Sequence, residues 1–265
     1  MLILRSLDFK PLPEGAFPFN LPLLRKFQPI EFQSPVSIFI GENGSGKSTV
    51  LESLAFAIGL ATISNKNIEH DGSLKAAQAL APYVKLAWGA KSKRGLFFRA
   101  EDFLGFVRSI QDVRAAFDKD MQDWEASLEG GALSRVRGMV TNQKNALTEK
   151  YGQDLNAYSH GEGFMKIFQS RFSGKGVYVL DEPEASLSPL RQLSLMALIQ
   201  DMVKVEDAQF IFATHSPIIM GMPGATLYEL QGEKISIVQY EETEHYQITK
   251  GFLGNREAYL RHLTP

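Results

Sequence analysis

The chain has 265 residues, 44% of them hydrophobic and 22% charged, with 28 Lys plus Arg against 30 Asp plus Glu and a net charge of −2. Such apolar content excludes intrinsic disorder, and the balanced charge leaves no global field to attract nucleic acid or an anionic membrane. The absence of Cys removes disulfides, thiolate metal sites and thiol nucleophiles together, and five scattered His residues argue against an imidazole-built metal centre.

The N-terminal Met1–Asp8 lacks the apolar core and cleavage site of a secretory signal. The longest apolar stretch, Leu54 to Ile63, is well short of the ~20 residues that cross a bilayer, so a soluble cytoplasmic protein is expected. Residues 1–40 carry short runs broken by six prolines, which predict strands and turns rather than helices. Val36–Ile40 reads as a buried strand, and the spacing of Val50, Leu51, Leu54, Ala55 and Ile58 predicts a helix over Ser48–Leu60.

A helical insertion is expected over 64–158, with a strand at Gly95–Phe98 and a long helix from Glu101 to Leu128. Strand, helix and strand then return at Val177–Leu180, Leu190–Val205 and Gln209–Ala213, an alternation that predicts a parallel sheet with crossover helices. Leu227–Leu230 and Lys234–Val238, separated by Gln231-Gly232-Glu233, predict a closing hairpin.

Between the Val36–Ile40 strand and the helix that follows, Gly41-Glu42-Asn43-Gly44-Ser45-Gly46-Lys47-Ser48 satisfies G-x-x-x-x-G-K-[ST], with Thr49 next. The glycines let successive backbone N–H groups turn toward a phosphate, and the helix N-terminus adds partial positive charge. Lys47 then reaches the β and γ phosphates and the Ser48 hydroxyl can ligate Mg²⁺. Nucleoside triphosphate binding is the expected activity of this loop.

Val177–Leu180 runs into the adjacent acids Asp181 and Glu182. Because side chains alternate along a strand, the two point differently: Asp181 is assigned to Mg²⁺ and Glu182 to activating the attacking water. Gln209–Ala213 ends in Thr214-His215-Ser216, which places His215 at the strand edge where open α/β sheets bind ligands. His215 is expected to donate to the γ phosphate or orient the water; the alternative is a side chain satisfied by the local turn.

These elements in this order resemble the ABC-type ATPase superfamily. Tyr158-Ser159-His160-Gly161-Glu162-Gly163 is similar to its LSGGQ signature, Ser159 and Gly161 matching while His160 and Glu162 replace Gly and Gln. Ser followed three residues later by Glu is equally a helix capping box. Pro183–Pro189 resembles the family's D-loop with Ser188 in place of the usual Asp, and Asp181-Glu182-Pro183-Glu184 looks more like the RecF, SMC and OLD-type branch than like transporter subunits. The resemblance implies an α/β P-loop NTPase fold: one ABC-type ATPase head over 1–265 with a mostly parallel sheet, an N-terminal antiparallel β part and the helical insertion.

It further implies ATP and Mg as cofactors and a homodimer in which Ser159 and Gly161 of one chain close over the ATP held by Lys47 of the other. The family's Q-loop residue is not obvious; Arg99 and Glu101 are the candidates. About 111 residues separate Ser48 from Ser159, too few for a long tethering coiled coil. The basic residues Lys85, Lys91, Lys93, Arg94, Arg99, Arg108, Arg114, Arg135 and Arg137 are read as a solvated surface among acids, with nucleic acid kept as a candidate partner. Phe97, Phe98, Phe103 and Phe106 are expected in the core, and the apolar C-terminal residues, among them Leu253 and Tyr259, on the same chain. The implied function is Mg-dependent ATP hydrolysis coupled to a nucleic-acid or defence process. A membrane ABC transporter subunit and a low-turnover nucleotide-gated scaffold are the alternatives, and a membrane partner is not expected.

Overall fold

The computed structural model describes residues 1–63, 72–151, 160–185 and 187–261. Its strands are β1 (Leu4–Phe9), β2 (Ile30–Glu31), β3 (Val36–Ile40), β4 (Ala61–Thr62), β5 (Val84–Trp88), β6 (Gly95–Arg99), β7 (Val177–Asp181), β8 (Gln209–Ala213), β9 (Thr226–Gln231) and β10 (Lys234–Val238). Its helices are α1 (Pro22–Arg25), α2 (Lys47–Ile58), α3 (Lys75–Leu80), α4 (Ala100–Ser127), α5 (Gly130–Tyr151), α6 (His160–Arg171), α7 (Pro189–Glu206), α8 (Pro217–Met220), α9 (Glu244–Gly254) and α10 (Arg256–Leu260).

The main sheet runs β10-β9-β3-β8-β7-β6-β4 and is parallel except for the β9–β10 hairpin. Its central strands are apolar on both faces because both faces are covered, as parallel sheets require. Alternation sorts each strand between two cores. Ile38, Phe98, Tyr178, Leu180, Phe210 and Phe212 pack with α4, α6 and α7, while Phe39, Phe97, Val177, Val179, Ile211 and Ala213 pack with α2, α3 and the N-terminal strands. Phe103 and Phe106 are buried as expected.

The antiparallel sheet β2-β1-β5 covers the second core. Buried Gln209 clamps it to the main sheet: its Oε1 accepts from the Leu4 N–H at 2.8 Å and its Nε2 donates to the Leu4 carbonyl at 2.9 Å. The all-strand expectation for residues 1–40 misses α1, whose Pro22 sits in the first turn, where a missing N–H costs no helical bond.

Within 64–158 the structure is not uniformly helical. β5 pairs with β1 and β6 lies beside β7, so both belong to the sheets; beyond the short α3, the long helices begin at Ala100. α4 has 28 residues and α5 has 22, about 42 and 33 Å at 1.5 Å per residue. Ile110, Arg114, Phe117, Met121 and Trp124 recur at alternating four- and three-residue steps on the less exposed side of α4. Arg137 pairs with Glu125 and Lys144 with Asp118, the spacing of an antiparallel hairpin. No tethering arm is expected from the sequence; α4 and α5 form a short hairpin with a seam of about four turns.

At the C-terminus Phe252 and Tyr259 meet edge to face with centroids 5.9 Å apart, but Leu253 is 76% exposed, against the expectation that it packs on the chain. Among the described residues no helix is long and apolar enough to cross a membrane.

Candidate functional site

The loop between β3 and α2 takes its shape from glycine. Gly41 has φ +142°, and a Cβ there would lie 2.4 Å from the Leu230 carbonyl of β9; Gly46, at φ +96°, precedes α2. Gly46 supplies no side-chain cap, so the first N–H groups of α2 remain directed at the loop's concavity. Gly41, Asn43, Gly44 and Ser45 line a 280 Å³ cleft that Glu229–Gly232 and, at the start of α9, Glu244 and His245 also line.

Lys47 is 4% exposed, and its Nζ donates to the carbonyls of Gly41 at 2.8 Å and Glu42 at 2.9 Å. Burial lowers its pKa, against the pull of Glu182, Asp181, Glu42 and Glu184, so four carboxylates surround this ammonium. Ser48 and Thr49 follow in the first turn of α2.

The parallel register of β7 and β8 brings the acidic pair and the histidine together. Asp181 is buried and its pKa is pushed up to about 6 by that burial, opposed by a hydrogen bond from Ser48; its Oδ1 is buried without a partner. Glu182 lies beyond the strand, so its direction is set by a left-handed backbone, φ +49°, rather than by strand alternation. Its side chain is 46% exposed, and Oε1 lies 3.8 Å from His215 Nε2. Burial, then the Lys47 charge, hold the His215 ring below its ordinary pKa.

Lys47, Ser48, Asp181, Glu182 and His215 therefore share one site. Gly161 opens α6, which packs on α5 and α7, and Ser159 lies outside the described residues.

Three participants escaped the sequence reading. Glu184 is a half-buried carboxylate whose Oε1 accepts from the His215 backbone N–H at 2.7 Å and which also bonds the Thr214 side chain, fixing the His215 turn. Its signal was its place two residues beyond Glu182. His245, on α9, lies with its Nε2 3.3 Å from His215 Nδ1, a meeting no local pattern announces.

The third is Glu52, one turn along α2, which faces Arg99. Arg99 is 3% exposed, not part of a basic rim: it pairs with Glu52 at 3.3 Å, Glu101 at 2.8 Å and Asp102 at 2.8 Å, and donates to Ser73 at 2.9 Å. It stands opposite Asp181 in the β6–β7 register and joins the first turn of α4 to the site.

Burial lifts the Glu52 pKa from 4.5 to about 7, with Arg99 opposing. A carboxyl with a raised folded pKa binds more protons in the folded than in the unfolded state between those two values. Stability therefore falls as pH rises from about 4.5 to about 7 and levels off above. Glu52→Gln is expected to flatten this decline, on the order of 1–3 kcal/mol, measured as melting temperature against pH; an unchanged slope would show that Glu52 does not titrate there.

Among curated proteins, the chain is 27% identical over 217 residues to the tungstate uptake system ATP-binding protein TupC of Campylobacter jejuni, covering 81% of this chain and 58% of that protein. It is 25% identical over 187 residues to the petrobactin import ATP-binding protein FpuD of Bacillus anthracis, covering 68% and 62%. The chain thus spans about three fifths of the length of these relatives. Among solved structures, it is similar to an Smc head domain of Pyrococcus furiosus, at 13% identity and a TM-score of 0.47, covering 97% of this chain and 100% of that one. With a complete phosphate loop between β3 and α2 and an acidic strand end beside it, and with residues 16–168 matching the AAA domain family, the chain belongs to that family.

Proposed function

We propose that the protein binds and hydrolyses ATP with Mg²⁺ at this site, working as an ATP-sandwiched homodimer. The single observation that carries the reading is the convergence of Lys47, Ser48, Asp181, Glu182 and His215 around the loop. Loop N–H groups and Lys47 bind the triphosphate; Glu182 accepts the proton of the attacking water; His215 donates from Nε2 to the terminal phosphate or orients the water. The buried, unpartnered Oδ1 of Asp181 beside the Ser48 hydroxyl suits a hard cation, and these two residues would hold Mg²⁺ together with phosphate oxygens. When bound, that ion neutralises charge on the β and γ phosphates. The absence, among the described residues, of three clustered protein ligands fits a cation shared with the nucleotide.

Dimerisation would let Ser159 and Gly161 of a second copy complete each site. The α4–α5 hairpin, rooted at Arg99 beside Asp181, favours coupling of hydrolysis to movement of an arm, and so a nucleic-acid or defence process. The names of the two curated relatives, uptake and import ATP-binding proteins, favour the second reading, an ATP-binding subunit with a membrane partner, and weigh against the expectation that there is none. Phosphate release measured alone and with double-stranded DNA, single-stranded DNA or RNA separates the two. Stimulation by a nucleic acid supports the first; co-purification of an integral membrane protein with no such stimulation supports the second.

A further inference from the structure

The two nitrogens of His215 have different surroundings. Nε2 is buried without a hydrogen-bond partner and looks toward Glu182 Oε1 at 3.8 Å. Nδ1 lies 3.3 Å from His245 Nε2, with ring centroids 5.5 Å apart. His245 is the second residue of α9, beyond the 16–168 that match the family.

α9 is firmly placed. Thr243, 1% exposed, caps it by accepting from the Tyr246 N–H at 3.3 Å and donates to the Tyr240 carbonyl at 2.8 Å. The Tyr240 and Tyr246 rings pack at 4.7 Å, and Tyr240 rests on the first core. α9 also contacts α8, the helix that directly follows His215-Ser216.

A carboxylate or phosphate oxygen is an acceptor only, so His215 can serve either one only when Nε2 carries the proton. In the neutral ring Nδ1 is then an acceptor, and the nitrogen 3.3 Å away must donate to it. We infer that His245 is a positioning residue for hydrolysis: it donates its Nε2–H to His215 Nδ1, holding His215 as the Nε2–H tautomer facing Glu182 and the terminal phosphate. Helix α9 is thereby part of the active centre, and whatever displaces α9 releases His215.

This inference rests on the ATPase reading above, so its test carries a readout that needs no nucleotide. Nitrogen-15 spectra of the His215 ring in the wild-type protein are expected to show Nε2 protonated and Nδ1 bare, and in His245→Ala a mixture of tautomers. In steady-state assays His245→Ala is expected to lose about tenfold in kcat with the KM for ATP within twofold, the lower end of what losing an orienting partner costs at metal-bound histidines. His245→Gln, whose amide N–H reaches the same place, is expected to recover most of that loss.

A protonated Nδ1 in the wild-type ring overturns the inference, as does kcat within twofold of wild type in His245→Ala or a Gln variant no better than Ala. Should His245→Ala fail to fold, the Gln variant and the wild-type spectrum decide alone. If Lys47→Ala retains full nucleotide binding, the ATPase reading fails instead, and the tautomer measurement still stands.

Discussion

Lys47→Ala is expected to lose nucleotide binding and turnover by a factor of about 10²–10³, comparable to removing one preorganised donor from a charged transition state. Wild-type Lys47 places one ammonium among Glu182, Asp181, Glu42 and Glu184. Without it, a triphosphate entering the loop meets those carboxylates with only backbone N–H groups and a helix terminus to offset them. The side chain also ties the Gly41 and Glu42 carbonyls together, so circular dichroism should accompany the binding measurement to show that the loop's loss is not global unfolding. Isothermal titration with ATP that returned near wild-type affinity in a folded Lys47→Ala protein would remove the phosphate loop as the binding site.

The second large effect is expected at Glu182. Glu182→Gln keeps the shape of the side chain and cannot accept a proton, so ATP should still bind while phosphate release slows by about 10²–10⁴, the range general-base catalysis supplies. The backbone there is held at φ +49°, a conformation costing about 1–2 kcal/mol for a residue with a Cβ. Such strain persists where the surroundings over-determine it, here through the bond from the Glu182 N–H to the Ala213 carbonyl at 3.1 Å and the Ala185 N–H to the Glu182 carbonyl at 3.1 Å. Glutamine inherits the same backbone, so the melting temperature should barely move. With hydrolysis blocked, size-exclusion chromatography in ATP and Mg²⁺ should show dimer accumulating. Full turnover in this variant would remove Glu182 as the base; slow turnover with monomer alone would leave the base and remove the dimer.

Both effects fall on residues legible from the chain. The phosphate loop is a contiguous motif whose chemistry depends on local backbone geometry: Gly41 and Gly46 take positive φ, and Lys47 is held by the loop's own Gly41 and Glu42 carbonyls. Val177–Asp181 and Gln209–Ala213 were readable as strands because burial on both faces leaves unbroken apolar runs. Glu184 was visible only as a neighbour of the acidic pair, since its role depends on reaching the His215 backbone 31 residues away. Arg99 was misread as surface because a basic residue near other basic residues looks solvated in one dimension; three carboxylates from α2 and α4 bury it in three.

By itself the sequence determined the fold class, the phosphate loop, the acidic strand end and the candidate histidine, because each is written in residues that are neighbours along the chain. Only the tertiary structure decided what joins them. β5 leaves the expected insertion to pair with β1, Gln209 clamps Leu4 across 205 residues, and Arg99 is caged beside Asp181. His245 arrives at His215 from a helix 30 residues downstream. Contacts of that kind follow from how two cores and a twisted sheet pack, and no periodicity or spacing along the chain encodes which distant side chains the packing will bring within hydrogen-bonding reach.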